Sequence, residues 1–190
     1  MKMLIVSFKI FLFFTVLTGI FYPLLITGIT QIVFPAKANG SLIRKGNQTI
    51  GSELIGQQFD STVYFASRPS AISYNPLPSG GSNYALTNRK LKDLVDDRRK
   101  QFVKINGLDS LTVIPSEMVF ASASGLDPHI SLNAALLQVE RIIKNRQFNE
   151  DKKQRLLQAI ASTTEAPQFL FLGEQRVNVL LLNLKLNELE

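Results

Sequence analysis

The sequence has little of the chemistry on which small catalytic or metal-binding domains depend. Its 190 residues include no cysteine, no tryptophan and a single histidine, His129. The lack of cysteine excludes disulfide bonds, thiolate metal sites and cysteine nucleophiles. A single histidine also disfavours a zinc site, because zinc is usually held by several Cys or His side chains. No cofactor or metal ligand is therefore predicted in this chain.

Two motifs of ATP hydrolysis are missing as well. The sequence has no G-x-x-x-x-G-K-[ST] loop, whose backbone N–H groups would cradle phosphates. It also lacks Asp-Lys-Thr-Gly, the phosphorylated-aspartate signature of P-type pumps. We expect that the chain itself does not hydrolyse ATP by either route.

Charge is only mildly unbalanced. There are 21 Lys and Arg residues against 15 Asp and Glu residues, which gives a formal net charge of +6. The basic residues form no run with interleaved aromatics of the kind that follows a phosphate backbone. The pattern therefore argues against nucleic acid as a partner and favours a weakly basic surface near anionic lipid.

The longest feature present is an uncharged run over residues 10–34, IFLFFTVLTGIFYPLLITGITQIVF. A helix of about 20 apolar residues crosses the ~30 Å hydrocarbon core of a bilayer, so this run is long enough to span it once. We therefore predict two parts. Residues 1–35 form a short tail and a transmembrane anchor, and residues 36–190 form one domain.

A cleaved export signal is the alternative to a retained anchor. Lys2 and Lys9 precede the run, and residues 36–38 (AKA) have the small-x-small form of a cleavage site. The run is much longer than the ~7–15 apolar residues of a signal peptide, which favours the anchor. Basic residues flank both ends almost equally, so charge alone leaves the orientation open.

Inside the run, four residues recur at helical spacing and are predicted to share one face: Thr15, Thr18, Gly19 and Tyr22. Small residues let another membrane helix approach closely, so this face is a candidate helix interface. The alternative, that the face contacts lipid, is left open. Pro23 predicts a local kink, because proline removes one backbone donor from the helix.

The rest of the sequence predicts an α+β domain with a small sheet. Residues 64–88 are crowded with Pro, Gly, Ser and Asn, a composition typical of a long loop. Helices are predicted over residues 87–106, from a cap at Asp127 and Pro128 to about residue 146, and over residues 150–162. Strands are predicted at residues 111–114 and 176–182, where β-branched residues occur.

One catalytic hypothesis concerns a short loop made of Ser79, Gly80, Gly81, Ser82 and Asn83. Its backbone N–H groups are able to surround an anion or an oxyanion. A serine hydrolase would pair Ser79 or Ser82 with His129 and a carboxylate. Asp127 is poorly suited as that carboxylate, because we expect it to cap a helix. An ordinary loop is favoured, and a membrane-tethered extracytoplasmic serine hydrolase is kept as the alternative function.

Five segments, taken in order, resemble one family. They are GSELIGQQF (51–59), YFASRPSAISYNPLPSGGSNYALTN (64–88), SASGLDPHIS (122–131), the set Ala134, Ala135, Gln138 and Arg141, and GEQRVNVLLLN (173–183). Over nearly the whole chain they resemble the KdpC family, the C subunits of bacterial Kdp potassium-transporting P-type ATPases.

The resemblance implies a non-catalytic accessory subunit of a high-affinity, ATP-driven potassium uptake complex. The implied partners are a channel-like subunit that translocates potassium and a P-type subunit that hydrolyses ATP, so ATP, Mg and K act at the level of the complex. It also implies a single-pass protein of the bacterial plasma membrane. The N-terminus would be cytoplasmic and the domain extracytoplasmic.

The resemblance implies two roles, support of assembly and an increase in the ATP affinity of the hydrolysing subunit, as a catalytic chaperone. An extracytoplasmic domain does not reach ATP in the cytoplasm, so such an effect has to be allosteric. The candidate contact surface of the domain consists of the loop residues 79–83 together with Asp127, Pro128 and His129.

Overall fold

The computed structural model describes residues 1–189 and divides into two compact units, Met1–Ser52 and Glu53–Glu190. The first unit contains the uncharged run and a small hairpin, and the second contains the remaining elements. The division at residue 52 is one of packing. The boundary predicted after residue 35, at the end of the uncharged run, stays a prediction.

The uncharged run forms most of a long helix, Lys2–Val33, with 32 residues and a mean hydropathy of 2.3 in its most apolar window. The helix consists of α1 (Lys2–Val16), a π-helical turn (Leu17–Phe21) and α2 (Tyr22–Val33). None of its side chains is buried within the protein. A helix of this length and composition is able to cross a membrane, as the sequence predicts.

The π turn lies directly before Pro23. The N–H of Tyr22 donates to the carbonyl oxygen of Leu17, five residues back instead of the usual four. Pro23 has no N–H with which to continue the α-helical pattern, so the wider turn occurs where a backbone donor is missing. The expected disturbance at Pro23 therefore takes the form of a π turn, which is one of the causes of helix bending.

The first unit continues with a helical turn and a hairpin. These are α3 (Pro35–Ala38), β1 (Leu42–Lys45) and β2 (Gln48–Ser52), and the two strands pair antiparallel. The Ser52 hydroxyl donates to the Gly40 carbonyl oxygen at 2.7 Å. This bond ties the end of the hairpin to the residues just before it.

Among the described residues, the second unit combines five α-helices with a three-stranded antiparallel sheet, which confirms the predicted α+β class. The strands are β3 (His129–Ile130), β4 (Thr164–Glu165) and β5 (Arg176–Asn178), and β5 lies in the middle. The helices are α4 (Arg89–Asn106), α5 (Leu132–Leu136), α6 (Val139–Arg146), α7 (Glu150–Thr163) and α8 (Val179–Asn187).

The core of the second unit is formed by the sheet and by helices α4 to α8, together with Met118 of a 3₁₀ turn and Phe65 of the long loop. Its buried apolar side chains include Phe65, Ile130, Ile142, Leu156, Ile160, Val177, Val179, Leu182 and Leu186. Phe65 has no exposed surface. The beginning of the long loop is therefore part of the core.

Two helices begin and end close to where the sequence predicts. α4 follows Asn88, whose side chain accepts the N–H of Lys90, and it stops at Gly107, which is left-handed with a φ of 63°. α7 follows Asn149, whose side chain accepts the N–H of Lys152. Local capping signals are sufficient to define these two helices.

The predicted helix start at Asp127 and Pro128 is wrong. His129–Ile130 forms β3, and the helix begins only at Leu132, after a cap at Ser131. The Asp127 carboxylate is occupied by Arg68 and by the backbone N–H of His129, so it is not free to cap. The single helix expected up to residue 146 is also divided into α5 and α6.

Of the two predicted strands, both within the described residues, one is present in part and the other is absent. The one over residues 176–182 ends at Asn178, whose side chain accepts the N–H of Leu181 and thereby caps α8. The leucine-rich run after it is a buried helix. The strand predicted at 111–114 is wrong, since Leu111 and Val113 are 86% and 83% exposed in a loop that ends in the 3₁₀ turn Ser116–Met118.

Candidate functional site

Two buried side-chain amides hold the beginning of the long loop. Asn183 accepts the N–H of Phe65 at 2.8 Å and donates to the carbonyl oxygen of Phe65 at 3.0 Å. Gln138 accepts the N–H of Ala66 at 2.8 Å and donates to the Ala66 carbonyl oxygen at 3.4 Å. Each amide satisfies both backbone groups of one residue, as a neighbouring strand would. We call Asn183 and Gln138 the amide clamp.

Arg141 extends the amide clamp. Its Nε donates to Asn106 Oδ1 at 2.8 Å, its Nη2 to Gln138 Oε1 at 2.9 Å, and its Nη1 to the carbonyl oxygen of Thr62. The residue is only 6% exposed, and burial lowers the pKa of its guanidinium to about 10. Arg141 therefore stays charged at neutral pH and holds the loop at Thr62, three residues before Phe65.

Three titratable side chains meet where the long loop contacts the segment before β3. Arg68 Nη1 lies 2.6 Å from Asp127 Oδ2, and His129 Nδ1 lies 3.4 Å from Asp127 Oδ1. Burial on its own raises the pKa of Asp127, but hydrogen bonds from His129 and Arg68 outweigh that effect and lower the pKa to about 2. Asp127 is therefore ionised throughout the physiological range and serves as the shared acceptor.

The backbone around Arg68 is also held. The Tyr74 hydroxyl donates to the Arg68 carbonyl oxygen, and burial raises the pKa of Tyr74. The Ser70 hydroxyl oxygen accepts the N–H groups of Ile72 and Tyr74 at 3.2 and 3.0 Å. The long loop therefore turns back on itself directly after Arg68.

The two candidate contact loops lie against each other. The Gly80 N–H donates to the carbonyl oxygen of Ser124 at 3.0 Å, and a Cβ at Gly81 would lie 3.0 Å from the carbonyl oxygen of Ala123. Ser79, Ser82 and Asn83 remain exposed, whereas Pro128 is buried and Asp127 and His129 are half-buried. The structure thus brings residues 79–83 next to the segment that leads into Asp127.

Two further glycines allow close approach to the same segment. A Cβ at Gly56 would lie 2.7 Å from the Asp127 carbonyl oxygen, and its N–H donates to the Leu126 carbonyl oxygen at 2.7 Å. Gly125 has a φ of +71°, and a Cβ there would lie 2.4 Å from Ile72 Cγ1. A side chain at either position would push the loops apart.

The serine hydrolase hypothesis gains no support from this geometry. Within residues 1–189, neither Ser79 nor Ser82 forms a hydrogen bond with His129, whose imidazole faces Asp127. A serine nucleophile needs its base within hydrogen-bond reach. The structure holds an Asp–His contact without a serine partner among these residues.

An open polar cleft of about 650 Å³ lies beside the Asp127 cluster. Its lining includes Arg68, Asp127 and His129, with residues 116–117, 130–131, 165–168 and 172–176. Arg68 also lines two neighbouring clefts, of about 340 and 610 Å³. In the part of the chain that the structure describes, no group of three His, Asp or Glu side chains is placed to hold a metal.

Comparison with known proteins identifies the family. A family model described as "KdpC: K+-transporting ATPase, c chain" matches residues 4–188, which include the long helix, the amide clamp and the Asp127 cluster. The chain belongs to the KdpC family.

Similar proteins in the KdpC family come from several bacteria, and each is named "Potassium-transporting ATPase KdpC subunit". The protein of Photorhabdus laumondii is 45% identical over 186 residues, which cover 96% of this chain and 94% of the relative. That of Geobacter metallireducens is 48% identical over 182 residues, which cover 94% and 93%. That of Caldanaerobacter subterraneus is 42% identical over 182 residues, which cover 96% and 93%.

Several residues behind the resemblance to the KdpC family have roles that sequence reasoning missed. Gln138, Arg141 and Asn183 lie in the matching segments, and the structure shows that they hold the loop by its backbone. Arg68 lies in the longest matching segment but was not singled out. The motifs mark the positions of these residues. Their most distant partners, however, lie 59 to 118 residues away in the sequence, from Asp127 for Arg68 to Phe65 for Asn183.

The candidate interface in the long helix is exposed. The Thr15 and Thr18 hydroxyls donate to the carbonyl oxygens of Phe11 and Phe14, four residues back, and nothing lies within 4 Å of a Cβ built on Gly19. These bonds satisfy the donors of both hydroxyls within the helix. Tyr22 follows the π turn, whose spacing departs from the helical period that placed it with the others. Their role in a KdpC interface stays a prediction.

Proposed function

We propose that this chain is a non-catalytic subunit of a high-affinity, ATP-driven potassium uptake complex and that it stabilises the assembled complex. The observation that carries the proposal is the KdpC family match over residues 4–188, which takes in both the long helix and the second unit. The proposed partners are a channel-like, potassium-translocating subunit and a P-type subunit that hydrolyses ATP. ATP, Mg and K are bound at the level of that complex.

In this proposal the long helix is a single-pass anchor in a bacterial plasma membrane. Its 32 residues rise about 48 Å, more than the ~30 Å hydrocarbon core, and no side chain in it is buried. The N-terminus is proposed to lie in the cytoplasm and the second unit outside. Thr15, Thr18 and Gly19 then offer a face to a neighbouring helix.

A non-catalytic role fits the chemistry of the second unit. Arg68 and His129 both contact the Asp127 carboxylate, and no serine is paired with His129 among the described residues. The exposed part of the 79–83 loop, held against residues 123–124, supplies a preformed surface for a partner. Any increase in ATP affinity, as a catalytic chaperone, is transmitted through the other subunits, because the ATP site lies across the membrane.

The decisive experiment compares the complex with and without this chain. The potassium-translocating and ATP-hydrolysing subunits of the same organism are co-expressed with or without this chain, and the complex is recovered through a tag on the hydrolysing subunit. We expect lower recovery of the intact complex and lower potassium-stimulated ATPase activity without the chain. If the chain acts as a catalytic chaperone, the KM for ATP rises in its absence. Equal recovery and equal activity would overturn the proposal.

A further inference from the structure

The connection between β4 and β5 carries an exposed apolar tip. Its four consecutive residues, Phe169, Leu170, Phe171 and Leu172, are 80%, 90%, 77% and 51% exposed. Their exposed surface is about 500 Å², comparable to the largest apolar patches on ordinary monomers. We call residues 169–172 the apolar tip. A contiguous patch of this size indicates an interaction site, whereas single exposed apolar residues do not.

The backbone holds the apolar tip in a defined turn. Gln168 and Leu172 exchange two hydrogen bonds of 2.9 Å, and the Phe171 N–H donates to the Gln168 carbonyl oxygen at 3.3 Å. Phe169 and Leu170 have φ values of 52° and 71°. Turns of this kind usually place Asn and Gly at two left-handed positions. Bulky apolar residues there serve neither the turn nor the core, which points to a contact outside this chain.

The apolar tip borders the polar cleft beside Asp127. Pro167, Gln168 and Leu172 line that cleft together with Arg68 and His129. An apolar centre beside hydrogen-bonding and charged groups is the usual composition of a protein–protein interface. Large apolar anchors at such a centre carry most of the binding energy.

The charges around the apolar tip favour a protein over an anionic membrane. The cleft lining contains four carboxylates (Glu117, Asp127, Glu165 and Glu174) and two guanidinium groups (Arg68 and Arg176), so its net charge is −2 with His129 neutral. Two of the carboxylates are paired with the two arginines, at 2.6 and 2.8 Å. The remaining negative charge is repelled by anionic headgroups and complements a basic protein surface.

We propose that the apolar tip is a docking anchor that inserts into an apolar hollow, rimmed by basic side chains, on another protein subunit of the potassium-transporting complex. The inference rests on the function proposed above. Phe169 and Phe171 fill the hollow, and Glu174 faces the basic rim. The partner surface lies on the same side of the membrane as the second unit.

The test uses the full-length chain, co-expressed with the other subunits and recovered through a tag on the hydrolysing subunit. The tip variant combines Phe169→Asn, Leu170→Gly and Phe171→Ser, because Asn and Gly suit the two left-handed positions. The control combines Leu111→Ser and Val113→Ser, which are 86% and 83% exposed in a different loop. We expect recovery of the tip variant to fall at least tenfold and that of the control to stay within twofold.

Each other outcome has a definite meaning. Equal recovery of wild type and tip variant would overturn the docking anchor and leave the proposed function intact, whereas failure of the wild type to co-purify would overturn the proposed function. Unchanged recovery with lost binding to phosphatidylglycerol-containing vesicles would assign the tip to lipid. Unchanged recovery with lost self-association would assign it to a second copy of this chain. If the triple variant has a lower Tm than wild type, the single variant Phe171→Ser is used instead, because Phe171 is not one of the two left-handed residues. Recovery of the complex then has to fall with this variant alone.

Discussion

The amide clamp makes a quantitative prediction for Asn183→Ala. The substitution leaves the N–H and the carbonyl oxygen of Phe65 without the partners that they have at 2.8 and 3.0 Å. Both groups belong to a residue with no exposed surface, so water does not replace the lost bonds. Each unsatisfied buried group costs about 1–3 kcal/mol, so the expected loss of unfolding free energy is about 4 kcal/mol. That is a large part of the ~5–15 kcal/mol of an ordinary domain.

The matched control for this prediction is Asn187→Ala, one turn further along α8. Asn187 is exposed and accepts a hydrogen bond from Arg146 at 3.0 Å. Removing this bond is expected to lower the unfolding free energy by less than about 1 kcal/mol. Thermal unfolding of the full-length chain in detergent, followed by circular dichroism, measures both variants. We expect Asn183→Ala to lower Tm by about 12 °C. Similar Tm values for the two variants would refute the assigned role of the clamp.

Three further predictions concern acid, backbone strain and the long helix. The pKa of Asp127 is lowered to about 2 in the folded chain, so its ionised carboxylate contributes about 2 kcal/mol to the unfolding free energy above pH 4. This contribution is lost as the pH falls to 2, and the difference in unfolding free energy between wild type and Asp127→Asn should shrink over that range. Gly125→Ala should lower Tm much more than Gly107→Ala does. Both glycines are left-handed, but only the new Cβ at Gly125 would have a side chain within 4 Å. Thr18→Leu with Gly19→Leu should reduce recovery of the complex several-fold while the isolated chain still inserts into membranes; unchanged recovery would remove these residues from the interface.

The elements that were predictable from sequence are those with local signals. α4 has its cap at Asn88 and its stop at Gly107, and both are visible in the sequence beside a clear apolar period. The long helix over the uncharged run, residues 10–34, is predicted from the length and composition of that run alone. Such features depend on neighbours within a few residues, so a single sequence contains the information required.

The errors arise where distant residues decide the local structure. Asp127 has the sequence context of a helix cap, but Arg68, 59 residues earlier, takes its carboxylate and the chain forms β3. Asn178 lies in an apolar run that is typical of a strand, yet its side chain caps α8. In the candidate site, the loop residues 79–83 lie against the segment that leads into Asp127, and their role as a contact surface stays a prediction. Their meeting through Gly80 and Ser124 was not deducible from spacing.

The amide clamp has a consequence for how substitutions are tolerated along the chain. Backbone pairing in a sheet accepts almost any side chain, because the bonding groups are common to all residues. At Phe65 and Ala66, in contrast, the backbone is paired with the side chains of Asn183 and Gln138, so the pairing requires these two residue types. Ala66 is therefore free to vary in its side chain, whereas Asn183 in α8 and Gln138, directly before α6, are not. A random mutational scan of this chain should therefore find that Asn183 and Gln138 are among its least tolerant polar positions.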